Sequence, residues 1–509
     1  MSGRVTRWPL VIVALVTVIG LAVADGGDER EPSPAPPETT SEAPGPDAEG
    51  SVWYCAEGTS LPGEFADHSV IVANPTAVAI AAEVSVFPVT PVGRVSPSAL
   101  PEEVLLNVPA RSQTSLRLAD VVESQYTAAL VEIDSGLAVV EQRVQGPTGI
   151  DVVPCATRSS AVWHFAAGST RRDARLIFTL FNPFPDRAVV KFSFSTEEGV
   201  REPQALRGVL VPAQSLVAVN ATDLVPRFSS VSTTVETLAG RVVAGRLQLF
   251  DGTEGLEGLT AGPGVPQARA QWVFPTGPTD PAVVEHIVLY NPSDQVAAAD
   301  ISIRSDTSDP SESLAPFDVS VPPQQQVALV FGEAGAYPLP PVSFAFGAAG
   351  SPEEGTGFWV AVQVYNGVPI VVERVAAAAA ESPPAGVATT AGSSVAAERY
   401  LIAGNRAEGS EVALVVVNPS PDSIARVTVS KIADGRIAQV AQLNPREVAP
   451  QSRLVVPVDR LAEGDSYALL VEASQPVVVS RTLVARSGTG MASGISVPSD
   501  PVPLDPSAF

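Results

Sequence analysis

Four segments of the chain end alike: SVIVANP at residues 69–75, IFTLFNP at 177–183, HIVLYNP at 286–292 and ALVVVNP at 413–419. Each is an apolar, largely β-branched or aromatic run closed by Asn-Pro. Proline has no N–H for a strand ladder and holds the residue before it extended. The Asn side chain can bond the backbone two residues on and start a turn. Each run therefore reads as a buried strand that stops at Asn74, Asn182, Asn291 or Asn418. Working backwards, each Asn lies 18 to 21 residues after an aromatic opener, Trp53, Trp163, Trp272 or Tyr400. Working forwards, a proline-bearing step opens a later strand: Val108-Pro109-Ala110, Val211-Pro212-Ala213, Val321-Pro322-Pro323 and Val448-Ala449-Pro450. Two apolar strands then flank a short turn. The first carries Glu132, Glu236, Gln363 or Glu472, and the second reaches Arg143, Arg246, Arg374 or Arg481. Landmarks that keep register over such distances indicate internal repeats.

Each repeat of about 100 residues holds roughly seven short apolar runs between turn residues, the pattern of an immunoglobulin-like sandwich. Propeller blades would recur at roughly 40–50 residues. The expected fold is all-β: an N-terminal signal or anchor helix, a Pro-rich linker, then four tandem immunoglobulin-like β-sandwich repeats. The expected boundaries are 1–24 for the signal or anchor and 25–51 for a disordered acidic linker. Repeats follow at 52–157, 158–269 and 270–378, then a flexible linker at 379–396, a fourth repeat at 397–498 and a disordered tail at 499–509. The Pro-Pro, Gly and Ser content of 379–396 reads as a hinge, so the fourth repeat should move more than the others.

Composition narrows the function. The 509 residues include 48 Pro and 39 Gly, yet 45% are hydrophobic, which describes a folded, turn-rich body. Fifty-five acids against 31 bases give a net charge of −24, which argues against nucleic acid as a partner. Three His and two Cys are too few for a zinc or iron–sulfur protein. Arg4 and Arg7 precede an apolar run at 8–24, and Ala22-Val23-Ala24 has the small-x-small form of a cleavage site. A cleaved signal and an uncleaved membrane anchor both export the body.

Cys55 and Cys155 bracket the first repeat. In an exported chain, two cysteines most often form one disulfide. Two free buried thiols or a redox pair are the alternatives, and the absence of a CxxC weakens the last. The Glu and Arg landmarks are expected to face each other across a hairpin as a structural pair. The opening aromatics read either as core under the sandwich end or as sugar-stacking platforms. Trp359 and Tyr365 lie outside the repeat landmarks, and Trp359 is the better candidate for exposure.

The acidic Pro-rich stalk, the Trp-Tyr-Cys opener at 53–55 and the repeated apolar-Asn-Pro strands are similar to a family of large exported actinobacterial proteins defined only by an uncharacterised domain. Lysine occurs only at 191 and 431, with arginine elsewhere, which suits that group. The resemblance covers roughly residues 50–498. It implies a cell-envelope setting and a β-sandwich array, and it carries no activity. Tyr400 in place of Trp and the lack of Cys set the fourth repeat apart.

No catalytic, cofactor-binding or metal-ligating residues are expected. His68, His164 and His286 fall one to a repeat, too few for a metal site or triad. GxSxG, HExxH and phosphate-loop patterns are absent. The acidic run around Asp306 and Asp309 lacks the spacing of a calcium loop. The expected function is a non-catalytic structural or interaction protein of the cell envelope, built as a rod of sandwiches. Its partner would be an envelope protein or a wall glycan, with the membrane added if the N-terminal segment is uncleaved. The alternatives are an array of wall-glycan-binding modules and, third, a wall hydrolase or transferase.

Overall fold

The computed structural model describes residues 39–44, 48–134, 137–276, 282–305, 315–331, 343–345, 357–381, 385–404, 410–440, 445–458, 467–485 and 489–505. The expected signal or anchor, with Ala22 and Ala24, lies outside them, as do Asp306 and Asp309. Among the described residues no helix is long and apolar enough to cross a membrane.

The chain folds into antiparallel sheets in recurring pairs. In the first block, one sheet orders Ser51–Cys55, Thr127–Ile133, Ile80–Pro88 and Glu102–Val108. The facing sheet orders Ser112–Arg117, Asp67–Asn74, Val139–Gly146 and Gly149–Pro154. A core containing Trp53, Val70, Val72, Val84 and Val131 fills the space between them. The second block repeats both orders. Val162–Phe165, Val231–Ala239 and Ala188–Thr196 form one sheet, and Ser215–Asn220, Ala174–Asn182, Val243–Asp251 and Glu257–Pro263 the other. The third places Gln271–Pro275, Phe358–Val364, Ala297–Ser305 and Phe317–Val321 against Gln325–Phe331, Val284–Asn291, Val371–Ala378 and Gly386–Ala391. In the fourth block one 18-residue strand, Ala468–Ala485, runs through both layers and joins them into a single ten-stranded sheet.

The Asn-Pro corners explain the sequence landmarks. In every block the Asn amide reaches the proline-bearing step of the later strand. Asn74 Nδ2 donates to the Val108 and Pro109 carbonyls, and Asn182 Nδ2 to those of Val211 and Pro212. Asn291 reaches Val321, and Asn418 reaches Val448 and Ala449. Each Asn Oδ1 accepts from the N–H two residues on: Thr76, Phe184, Ser293 and Ser420. The carbonyls of those four residues accept in turn from the N–H of Arg111, Gln214, Gln324 and Gln451. All four acceptor turns hold a left-handed non-glycine residue, with φ of 48 to 53°. One buried amide thus ties two distant turns together.

The openers are core. Trp53, Trp163, Trp272 and Tyr400 are at most 2% exposed. Trp163 and Trp272 donate to the Val242 and Ile370 carbonyls, and the Tyr400 hydroxyl to Val477 O. Trp359, expected to be exposed, is also buried, and its indole donates to Gln451 O. Its strand Phe358–Val364 lies inside a sheet between two others. Tyr365, just past the strand end, is 59% exposed.

Cys55 and Cys155 form a disulfide across a sequence separation of 100 residues. It ties the first strand of one sheet to the residue after the last strand of the other. Closing such a loop stabilises by about 4–5 kcal/mol in the chain-entropy account.

Several expectations on disorder and pairing are corrected. The supposed linker 379–396 contains the strand Gly386–Ala391, paired with Val371–Ala378, and the start of Val395–Ile402. Its small residues serve close packing rather than flexibility. The end of the N-terminal linker is also ordered: Ala43 pairs with Ser499, and Ser41 Oγ donates to Cys155 O at 2.8 Å. Residues 39–43, TTSEA, contain no proline and can lie extended. Within the supposed tail, Val502 pairs with Ala396, and Leu504 is 3% exposed.

The Glu/Arg hairpin pairs do not form. Glu132 and Arg143 lie on strands of different sheets, as do Glu236 and Arg246, and Gln363 and Arg374. Glu472 and Arg481 share one strand. The chain crosses between layers where a hairpin was expected. Glu236 bonds Lys191 and Glu472 bonds Arg399 instead.

Candidate functional site

One late strand of each block is rich in small residues: GIDVVP, EGLTAGP, GVATTA and MASGI. Small side chains let backbones approach closely. Gly149–Pro154 packs on Glu257–Pro263, which packs on Gly386–Ala391. That strand packs on Met491–Ile495, which returns to Gly149–Pro154. The blocks therefore close into a ring around these axial strands, which replaces the expected rod.

Four glycines make the contact in strict rotation. A Cβ on Gly149 would lie 3.0 Å from Leu259 N, on Gly258 2.8 Å from Val387 N, and on Gly386 2.9 Å from Met491 N. On Gly490 it would lie 3.1 Å from the Ile150 side chain. Each glycine thus faces the residue that follows the next block's glycine. At Gly386, φ of 144° adds a backbone reason for glycine.

Beside the axial strands lie the arginines. Ladder register places Arg246 opposite Phe178, Arg374 opposite Ile287 and Arg481 opposite Leu414, each four residues before its Asn. In the first block that register position, opposite Val70, holds Gln142. Arg143 is one residue out of phase, pairs with Ser69 and is half-buried. Two of the in-register arginines reach a carboxylate of a different block. Arg246 bonds Glu373 at 2.8 Å, and Arg481 bonds Glu141 at 2.8 Å and the Val152 carbonyl. Arg374 bonds Glu285 within its block and Ser493 Oγ of the fourth. All six ion-pair partners are buried.

The junction of the first two blocks is built differently. Gln142 Nε2 donates to Glu57, and a Cβ at Gly245 would collide with the Glu57 carboxylate. Burial pushes Glu57 up to about 7, against the opposing hydrogen bond from Gln142. Asp151 on the axial strand is pushed up to about 7 by burial, although Ala261 N and Thr260 Oγ1 both donate to it at 2.9 Å. Burial lowers His68, His164 and His286 to about 4 each. His68 faces Thr127 Oγ1, and His164 bonds Thr234 Oγ1. Among the described residues, no group of three or more His, Cys, Asp or Glu is placed to hold a metal ion.

At one end of the axis the strands part around a cavity of about 140 Å3. Arg246, Glu373, Trp272, Thr390, Ser394 and Gln267 are among its walls. Residues Thr39 to Ser41 border it as a strap, with Thr40 Oγ1 donating to Gly264 O and Thr157 N to Thr40 O.

Residues 134–262 match a family described as being of unknown function (DUF5719). That stretch runs from the strand before one axial strand to the end of the next. It includes Gln142, Gly149, Arg246 and Gly258. No curated protein matches the chain. Among solved structures, a Thermotoga maritima protein numbered 1070 aligns at 16% identity over 20% of this chain and 96% of its own, with a TM-score of 0.17. The Streptomyces avermitilis alpha-L-rhamnosidase complexed with L-rhamnose aligns at 10% identity over 73% of this chain and 47% of its own, with a TM-score of 0.14.

The sequence pointed to the arginines but assigned them the wrong partners. It missed Glu57, Glu141, Glu285, Glu373 and the axial glycines. The glycines follow the arginine landmarks by 6 to 12 residues, a spacing too variable to stand out.

Proposed function

We propose that the four blocks are immunoglobulin-like sandwich repeats closed into a ring, and that the chain is a non-catalytic interaction protein exported to the cell envelope. The observation that carries this reading is the buried Arg481–Glu141 pair, which joins the last block to the first. First and last blocks joined in this way fix four outer surfaces in one rigid arrangement, as a platform for partners requires. The strongly perturbed carboxylates support it too. Glu57 and Asp151 are committed to partners at block junctions, Gln142 and Thr260 respectively. The acidic composition and the apolar N-terminus support export.

Two measurements test the proposal. Solution X-ray scattering should give a radius of gyration near the roughly 23 Å that compact-chain scaling predicts for the body. A value near twice that would return the molecule to a rod. Co-sedimentation with insoluble wall polymer separates the two kinds of partner. Saturable binding favours glycan, and protein left in the supernatant directs the search to envelope proteins.

The glycan-binding reading has one specific point in its favour. The opening aromatics are buried, so a sugar site would have to lie elsewhere, and the axial cavity is built of suitable groups.

A further inference from the structure

We infer that the axial cavity is a binding site for a neutral, polyhydroxylated ligand, namely the terminal sugar unit of a glycan. The inference deepens the glycan alternative and does not rest on the platform reading.

The floor of the cavity is an ion pair with spare capacity. Arg246 uses Nη1 on Glu373 Oε2 and on the Ala167 carbonyl. Among the described residues its Nε is buried with no hydrogen-bond partner, and the side-chain bonds it makes all run through Nη1. Glu373 Oε2 accepts from Arg246 and from Ala167 N, at 2.8 Å each, while among the described residues no group donates to Oε1. Both residues are under 5% exposed, yet both line the cavity. A two-proton donor and an acceptor therefore stand side by side in the cavity wall.

The chemistry of that pair selects the ligand. Neighbouring hydroxyls supply one oxygen to accept from Nη2 and one O–H to donate to Oε1. A carboxylate would satisfy the guanidinium but meet Glu373 with like charge, and an ammonium would meet the reverse conflict. A neutral diol fits both groups. The walls add the Thr390 and Ser394 hydroxyls, the Gln267 amide, Trp272 and a second guanidinium, Arg269. The volume of about 140 Å3 is comparable to a cavity that takes a benzene-sized ring, on the order of 150 Å3. One sugar ring is the matching unit. The cavity opens to solvent on one side, so the rest of a glycan would project outward.

The test titrates the intact chain with galactose, arabinose and N-acetylglucosamine, with acetate and ammonium as charged controls. It reads tryptophan emission, to which Trp272 in the wall contributes, together with thermal stability. At least one sugar should saturate with a Kd on the order of 1 mM. Thr390→Phe enlarges a wall residue whose hydroxyl bonds the Ala391 carbonyl rather than the ion pair. It should weaken that binding by at least about tenfold and leave the melting temperature unchanged. Glu373→Gln should also weaken it, but Glu373 holds two blocks together, so Thr390→Phe is the decisive variant. The inference is overturned if no sugar saturates, if acetate or ammonium binds more tightly than every sugar, or if Thr390→Phe leaves sugar binding intact.

Discussion

The Asn-Pro corners and the axial seam are both repeated around the molecule, but they are built on opposite principles. At the corners one residue type does the same work four times, within a block and over 29 to 35 residues to the later strand. At the seam the blocks meet through partners as far apart in sequence as 340 residues, and the chemistry varies. Arg246 and Arg481 cross to Glu373 and Glu141, Arg374 stays with Glu285, and Gln142 stands where a fourth arginine would be. A corner serves its own block and is held to a pattern by local geometry. A seam is satisfied by any pair that fills the space and neutralises charge, so its residues are free to differ while only the glycines recur.

This contrast is open to direct attack. The largest effect is expected at ring closure. Arg481→Ala leaves Glu141 buried without its partner and should cost roughly 3–5 kcal/mol in urea unfolding. The double variant Arg481→Met, Glu141→Leu should recover most of that loss, because an apolar pair replaces the ionic one. If the single variant unfolds no earlier than wild type, the last and first blocks are not closed through this pair.

Next is the axis itself. Gly258→Val places side-chain atoms against the Val387 backbone. It should cost about 3 kcal/mol by overpacking and enlarge the scattering radius. Gly435→Ala, at a turn with open space around it, is the control, limited to its own backbone strain. Equal losses from the two would deny the axis its special status.

At a corner, Asn182→Ala strips the amide from the Asp186, Val211 and Pro212 carbonyls. It should cost about 2–3 kcal/mol, with the scattering radius unchanged, because only one block is affected. A variant that opens the ring instead would erase the distinction between corner and seam.

The smallest effect is one of pH. Glu57, raised to about 7 by burial, stabilises the fold relative to the unfolded chain only while protonated. Its contribution is present below about pH 4.5 and is lost as pH rises through about 7. The histidines act in the opposite sense. Lowered to about 4, they contribute above pH 6.5, and that contribution is lost as pH falls through about 4. Glu57→Gln should therefore gain stability over wild type progressively from about pH 4.5 to 7. A difference that does not vary with pH would place Glu57 outside the titrating seam.

The legibility of the sequence follows the same division. Asn74, Asn182, Asn291 and Asn418 stood out because a strand stop is local chemistry, fixed by the proline beside each. The openers were legible as core, since an aromatic at a strand start usually packs under the sandwich end, and all four are buried. The arginines were legible as landmarks. Their partners were not, because a turn between sheets and a turn within a sheet look alike in sequence. The segment 379–396 was misread for a related reason: alanine, glycine and threonine suit either a loose linker or a tightly packed strand.

The sequence by itself determined the all-β character, the spacing of the strand stops and the cysteines that could be joined. Each depends on backbone chemistry or on counting, and neither needs a neighbour. Contact between the last and first blocks, and the pairing of Arg481 and Arg246 with Glu141 and Glu373, emerge only in three dimensions. Small residues come to lie where four backbones converge, with a cavity beyond them. Those outcomes depend on how whole blocks pack, and burial and close approach between distant segments leave no fixed spacing along the chain.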